Sequence, residues 1–216
     1  MPRAFTNMEK KRIRASLIEA GRSCFQRYGM RKTTIDDLVR LAGISKGSFY
    51  QFFKNKEDLY MELFLQEMPA MMLRLRESSF GATEDVREAL VLLMKGIVHE
   101  IETNPIARII LDDPTQMEQF LSTLEYQSLM EQVRVAYMPM LEYIVKGQEA
   151  GEIIDGDPFH IVFNLGLIKT LPIYKDSITG PLYDQMMEIA PQVIADGLTC
   201  PARAKKMRQS IEARSE

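Results

Sequence analysis

Residues 31 to 56 read RKTTIDDLVRLAGISKGSFYQFFKNK and predict two helices joined by a short turn. Thr34 is placed to cap the first helix, with Asp37 as the reciprocal partner of a capping box. Gly43 is expected to end that helix, because glycine tolerates the left-handed backbone common at helix C-termini. A second helix is predicted over 46–53, after a link of about three residues. This spacing is typical of the helix-turn-helix, whose second helix enters the major groove of DNA.

Charge is distributed unevenly along the chain. Residues 1–56 contain 13 Lys and Arg against 4 Asp and Glu, whereas residues 57–216 contain 14 against 26. A basic end on an acidic remainder indicates a molecule that presents one end to phosphates. We therefore predict a helix-turn-helix domain over 1–56 and a larger helical domain over 57–216.

Apolar residues recur at helical spacing in nearly every other segment, and no segment alternates like a strand, so the predicted fold is all-α. Further helices are predicted over about 9–28, 55–77, 90–101, 105–111, a region ending near 149 with a bend at Pro139, 158–171 and 181–198. The stretch 147–157 is expected to be a loop.

The last two predicted helices suggest self-association. Residues 158–171, PFHIVFNLGLIKTL, are apolar nearly all round, and such a helix is usually covered on both sides. Together with the helix over 181–198, in which a kink or break is expected at Pro191, it would form a four-helix interface in a homodimer. A core formed within one chain is the alternative.

Several classes of function find little support. His99 and His160 have no neighbours at metal-ligand spacing, and there is no phosphate-binding loop or nucleophile elbow, so we expect no metal, cofactor or enzymatic activity. Cys24 falls in an apolar helical stripe and is expected to be a buried structural thiol, or alternatively a redox sensor. Because no signal peptide or membrane-length apolar run is present, we expect a cytoplasmic protein without membrane association.

Residues 12 to 60 resemble the N-terminal domain of the TetR family of transcriptional regulators. The resemblance rests on RASLIEAGRSCFQRYG, TTIDDLVRLAG and SKGSFYQFFKNKEDLY and on the spacing between them. It implies an all-α fold of about nine helices, dimeric through the last two, with a ligand cavity in the C-terminal domain. The remaining residues match that family only in the number and length of helices.

The resemblance also implies which residues contact DNA. Lys46 would donate to guanine, Ser48 would pair with a base edge, and Gly47 would let the backbone approach the groove. For Lys46 the alternative is a solvated charge, and Phe52 either contacts a thymine methyl group or simply packs. The complete predicted set is Thr34, Ser45, Lys46, Gly47, Ser48, Tyr50, Gln51, Phe52 and Lys56.

Four of these residues are expected to contact phosphates rather than bases. Tyr50 and Gln51 face outward, while Thr34 and Lys56 lie at helix N-termini, where backbone N–H groups point at an anion. For Tyr50 the alternative is a surface aromatic residue without a ligand.

By the same resemblance, a small apolar or amphiphilic effector would bind in the C-terminal domain. The predicted lining residues are Phe64, Met68, Met71, Met94, His99, Met130, Tyr137 and Phe163. Methionine suits an adaptable pocket but equally fills cores, and His99 is either a core histidine or a polar group in the cavity. The negative charge of this domain would favour a cationic ligand. Alternatively, it belongs to a solvated acidic surface that repels DNA.

We therefore predict a homodimeric repressor that binds a pseudo-palindromic operator in double-stranded DNA and is released by an effector. The alternative is an effector-free dimeric regulator controlled by its concentration or by a protein partner.

Overall fold

The computed structural model describes residues 5–112, 126–175, 177–178 and 180–199, with the side chains of 110–130 outside the description. These residues form nine α-helices and one 3₁₀ helix, and they contain no strand, which confirms the all-α prediction. The elements are α1 (Asn7–Lys32), α2 (Ile35–Ala42), α3 (Lys46–Phe49), α4 (Lys56–Ser78), α5 (Val86–Thr103), α6 (Pro105–Asp112), α7 (Tyr126–Glu149), α8 (Pro158–Leu165), a 3₁₀ helix (Gly166–Tyr174) and α9 (Gly180–Leu198).

The described residues fall into two compact units. The head unit contains residues 5–67 and 104–112 with Tyr126, and the body unit contains 68–103 and 127–199 apart from the undescribed positions. The head unit therefore extends beyond the boundary expected after residue 56. The physical reason is that the first turns of α4 bury Leu59 and Leu63 in the same core as α1.

The core of the head unit is built from α1, α2, α3, the start of α4, and α6. Its fully buried side chains include Leu17, Phe25, Leu38, Phe49 and Leu59. Burying a side chain of this size contributes about 1.5–3 kcal/mol relative to leaving it in water. This core holds the two helices of the predicted DNA-binding motif against α1.

Tyr60 connects three elements of the head unit. Its ring meets that of Phe25 edge-on, with 5.8 Å between the ring centroids, and its hydroxyl donates to the carbonyl oxygen of Ile106 over 2.7 Å. The hydroxyl of a buried tyrosine needs such a partner, and this one joins α4 to α6.

The body unit is organised around α5, which buries Leu90, Leu93 and Met94 completely and packs against the 3₁₀ helix and α9. Ion pairs at the surface of α5 connect it to α4 and α9. Arg74 of α4 binds Glu100 of α5 through two nitrogens, at 2.8 and 2.9 Å.

Three segments differ from the predicted helices. The segment predicted to be helical over 158–171 changes at residue 166 into a 3₁₀ helix, which contains Gly166 and Pro172, the two poorest helix-forming residue types. The recognition segment is α-helical only over Lys46–Phe49 and continues as turns. Neither a break nor an end of α9 occurs at Pro191, which is buried within the helix.

Candidate nucleic-acid interface

The helix-turn-helix begins with the predicted capping box. The hydroxyl oxygen of Thr34 accepts from the backbone N–H of Asp37 at 3.2 Å, and the Asp37 carboxylate accepts from the backbone N–H of Thr34 at 3.3 Å. The Thr34 hydroxyl also donates to the Asp37 carboxylate over 2.6 Å, and this bond, together with the one from the Thr34 backbone N–H, lowers the pKa of the Asp37 carboxyl. Gly43 ends α2 in the left-handed conformation, with φ at 70°. Both predictions are confirmed, because each depends on partners only a few residues away.

The start of α3 is held by Ser45. Its hydroxyl oxygen accepts from the backbone N–H of Ser48 at 3.1 Å, and the two hydroxyl oxygens lie 2.8 Å apart. A Cβ at Gly47 would meet only the Ser45 hydroxyl, 4.0 Å away. The protein itself therefore leaves room for a side chain at position 47, as expected if the groove of a partner molecule must approach the backbone there.

The cation of Lys46 projects from the first turn of α3. Its Nζ atom lies 3.0 Å from the Asp36 carboxylate, and both side chains are exposed. Exposed ion pairs contribute only about 0–1 kcal/mol, so Lys46 can exchange this partner for another acceptor at small cost.

The residues after α3 separate into an inward and an outward set. Phe49 and Phe53 are buried, whereas Tyr50 is 53% exposed and Gln51 is exposed. Phe52 is half-buried against the core, with its ring centroid 6.2 Å from that of Phe5. Of the two interpretations of Phe52, this contact supports packing.

The ammonium of Lys56 has two partners within the protein. Its Nζ donates to the carbonyl oxygens of Met30 at 2.8 Å and Thr33 at 3.0 Å. The carbonyls at a helix C-terminus have no donors within the helix, and the Lys56 ammonium supplies them at the end of α1. The Lys56 ammonium is thus bound within the protein, and contact between Lys56 and a phosphate stays a prediction.

Arg14 is a residue that the sequence reasoning missed. It lies on α1, forms a two-pronged ion pair with Glu62 of α4, and donates from Nη1 to the carbonyl oxygen of Phe52 at 3.4 Å. Its partners are 48 and 38 residues away, so no local sequence pattern could have indicated them.

The residues predicted to line an effector pocket are dispersed. Met68, Met71 and Met94 are buried in the body unit, and Tyr137 is half-buried, with a pKa raised by burial of its phenol. Phe64 belongs to the head unit, where it packs against the core.

The remaining residues predicted to line the effector pocket are exposed or lie outside the described residues. His99 is exposed, because Val98 and Ile101 take the inward face of α5 and adjacent helical residues point about 100° apart. It is therefore not a core histidine, and its contact with an effector stays a prediction. Phe163 is 46% exposed. The side chain of Met130 lies outside the described residues.

A groove of about 440 Å³ runs along the body unit between α7 and the start of α8. It includes none of the predicted effector residues. Its lining residues are Arg134, Met138, Leu141, Glu142, Val145, Lys146, Glu149, Asp157, Pro158 and Phe159.

Among the described residues, no cluster of His, Cys, Asp and Glu could hold a metal ion, and no helix has the length and apolar character of a membrane span. Cys24 is a buried free cysteine, and burial raises the pKa of its thiol.

The capped helix-turn-helix, with Lys46 and Tyr50 exposed and Phe49 buried, has the architecture of helix-turn-helix motifs that bind DNA. Residues 17–63 match the family model described as bacterial regulatory proteins, tetR family. Over these residues the chain is similar to the TetR family, whose proteins are transcriptional regulators rather than enzymes.

Two curated relatives come from Bacillus subtilis (strain 168). The uncharacterised HTH-type transcriptional regulator YhgD is 34% identical over 92 residues, which is 41% of this chain and 47% of YhgD. The fatty acid metabolism regulator protein is 26% identical over 151 residues, which is 69% of this chain and 75% of that protein. The first match thus spans about half of the relative's length.

A solved structure of the transcriptional regulator FadR from Bacillus subtilis, in complex with stearoyl-CoA, has the same fold. The TM-score is 0.54 at 20% sequence identity, and the alignment covers 89% of this chain and 98% of FadR. At this identity the likeness shows the fold alone.

Proposed function

We propose that this chain is a homodimeric repressor that binds a pseudo-palindromic operator and is released from it by a small apolar or amphiphilic effector. The observation that carries the DNA-binding part is the capped recognition segment, residues 45–51, which exposes Lys46, Tyr50 and Gln51 while Phe49 anchors it in the core. Repression follows most simply, since a protein bound across a promoter blocks it without further contacts.

Exposed apolar side chains support the homodimer. Val193 is 62% exposed and Ile189 is 57% exposed on α9, and the 3₁₀ helix exposes 51% of Leu167. Other large apolar side chains exposed in the same elements are Ile173, Tyr174, Leu182 and Ile194, and Phe163 is exposed on the preceding α8. Exposed apolar residues concentrated in elements that follow one another in the chain are typical of a protein interface. A second copy of the chain is the simplest partner that would bury them.

Three observations support an effector in the body unit. Met68, Met71 and Met94 supply flexible, polarizable side chains to its interior. The relative named fatty acid metabolism regulator and the stearoyl-CoA complex of FadR, which is similar in fold, make an acyl chain a reasonable probe. In addition, α4 begins in the head unit and ends in the body unit, so a ligand that displaces α4 can change DNA affinity.

DNA binding is tested by selecting duplexes from a random-sequence pool with the wild-type chain. We expect two half-sites about one helical turn, roughly 34–36 Å, apart or slightly more. With about three phosphates neutralised per head, the logarithm of the affinity should fall against the logarithm of salt concentration with a slope of about −5. A monomeric protein at micromolar concentration, or an affinity independent of salt, would exclude this function.

The effector is tested by titrating the protein–DNA complex with stearoyl-CoA and, separately, with stearic acid and with coenzyme A alone. Release by the acylated probes and not by coenzyme A supports an apolar effector, and a coupling of 5- to 150-fold is typical. Weaker release in Tyr137→Phe would place the bound probe in the interior of the body unit. Weaker release in Met138→Lys would place it in the groove beside α7. If none of the probes binds, the effector-free regulator becomes the better account.

A further inference from the structure

We propose that Arg14 is a positioning residue, which ties Phe52, the residue directly after the recognition segment, to α4 through Glu62. Arg14 does not itself bind DNA. This inference rests on the proposed DNA-binding function and names a determinant of its specificity.

The Arg14 guanidinium uses all three of its nitrogens. Nε donates to one Glu62 carboxylate oxygen at 2.8 Å, Nη2 pairs with the other, and Nη1 donates to the Phe52 carbonyl oxygen at 3.4 Å. Its central carbon lies 4.8 Å from the centroid of the Phe53 ring. The planar fork of arginine matches a carboxylate in this two-pronged geometry, so Glu62 sets the orientation of the whole group.

The Phe52 carbonyl lies after the end of α3, outside a continuing helix. After α3 ends at Phe49, the N–H groups of Phe52 and Phe53 both bond back to the Phe49 carbonyl, at 2.9 and 3.1 Å. The chain then turns towards α4, so the Phe52 carbonyl has to find its donor outside a continuing helix. Arg14 is that donor, and it fixes the end of the segment whose first turn holds Lys46.

The same contacts give α4 a route to the recognition segment. Glu62 lies less than two turns into α4, and its carboxylate also lies within 3.5 Å of the Gln66 amide nitrogen. Because one guanidinium holds both the Glu62 carboxylate and the Phe52 carbonyl, a displacement of α4 at Glu62 moves the end of the recognition segment. The guanidinium nitrogens of Arg14 thus all have acceptors within the protein, although the side chain is about half exposed and positively charged.

The decisive variant is Glu62→Gln, because two explanations predict opposite changes in its affinity for DNA. Removing a negative charge from the basic head should strengthen DNA binding if only the overall charge matters. If Glu62 orients Arg14, the amide NH₂ of glutamine faces Nη2 as a second donor, the pair opens, and affinity for a duplex selected by the wild-type chain falls about three- to tenfold. Preference among single-base variants of that duplex should flatten, while the slope of affinity against salt stays unchanged.

Glu57→Gln is the matched control, since it neutralises another carboxylate of α4 outside these contacts. We expect it to leave the affinity equal to or above that of the wild-type chain. Unchanged or tighter binding by Glu62→Gln, with wild-type base preference, would overturn the proposal. Failure of the wild-type chain to bind any duplex would instead refute the proposed function.

Two further variants separate positioning from folding and from phosphate binding. Arg14→Gln should flatten base preference at an unchanged salt slope, whereas loss of a phosphate contact made by Arg14 would lower the slope by about one per site. The exchanged pair Arg14→Glu with Glu62→Arg can restore the ion pair and the melting temperature. It cannot restore base preference, because a carboxylate does not donate to the Phe52 carbonyl. Recovery of base preference in the exchanged pair would show that the contact with Phe52 is irrelevant and would sink the inference.

Discussion

The ammonium of Lys56 lies 2.8 Å from the carbonyl oxygen of Met30, and this contact joins the first residue of α4 to the end of α1. A second hydrogen bond to the Thr33 carbonyl completes the connection. Lys56 and Arg14 thus link α4 to the DNA-reading part of the head unit through carbonyl oxygens and a carboxylate within the protein.

Lys56→Met should therefore reduce stability rather than phosphate binding. The substitution keeps the aliphatic stem but removes both hydrogen bonds to carbonyls, for an expected loss of about 1–2 kcal/mol in the free energy of unfolding. Urea unfolding measures this loss, with Lys54→Met as the control for removing an exposed cation nearby. The salt slope of DNA binding should match that of the control. A slope reduced by about one per site at unchanged stability would restore the phosphate-ligand interpretation.

Lys46→Ala should affect DNA recognition without changing stability. Its partner among the described residues is the exposed Asp36 carboxylate, so little folding energy is lost. Loss of a guanine contact would cost about 1–3 kcal/mol on the selected duplex and flatten preference at one base position. Binding to a panel of single-base variants checks this expectation. A uniform loss across the panel would show that Lys46 acts only through its charge.

Asp37→Asn should remove a pH dependence of stability. Hydrogen bonds from Thr34 lower the pKa of Asp37 below its ordinary value of 3.8, so the folded state favours the charged carboxylate. The resulting stability is complete above pH 3.8 and is lost as the pH falls through the lowered pKa. Thermal unfolding from pH 7 downward should show wild type and variant converging. Asp36→Asn, outside the capping box, is the control, and a constant difference across the pH range would contradict the prediction.

Val193→Glu should convert the proposed homodimer into a monomer. It places a charge at the most exposed of the large apolar positions of α9, and burying an unpaired carboxylate in an interface is strongly unfavourable. Light scattering after size-exclusion chromatography measures the mass, and DNA affinity should fall to that of a single half-site. Leu73→Glu, at an exposed apolar position of α4, should leave the dimer intact. Equal masses for wild type and Val193→Glu would place the interface elsewhere.

The sequence was sufficient for features whose partners lie within one turn. Thr34 and Asp37 are three residues apart and Gly43 directly follows α2, so the residue types alone predict the capping box and the left-handed helix end. The inward positions of Phe49 and Phe53 follow from helical spacing in the same way. The unequal charge of the two parts of the chain is likewise a property of composition.

Only the tertiary structure decided which polar groups are committed within the protein. Lys56 and Arg14 are exposed cations as far as their neighbours in sequence show, but folding brings each to carbonyl oxygens more than twenty residues away. His99 shows the same limit, because its proximity to an apolar stripe does not tell on which side of α5 it lies. Long-range contacts are selected by the packing of whole helices, and that packing depends on the shape of the buried surface rather than on any local pattern of residues.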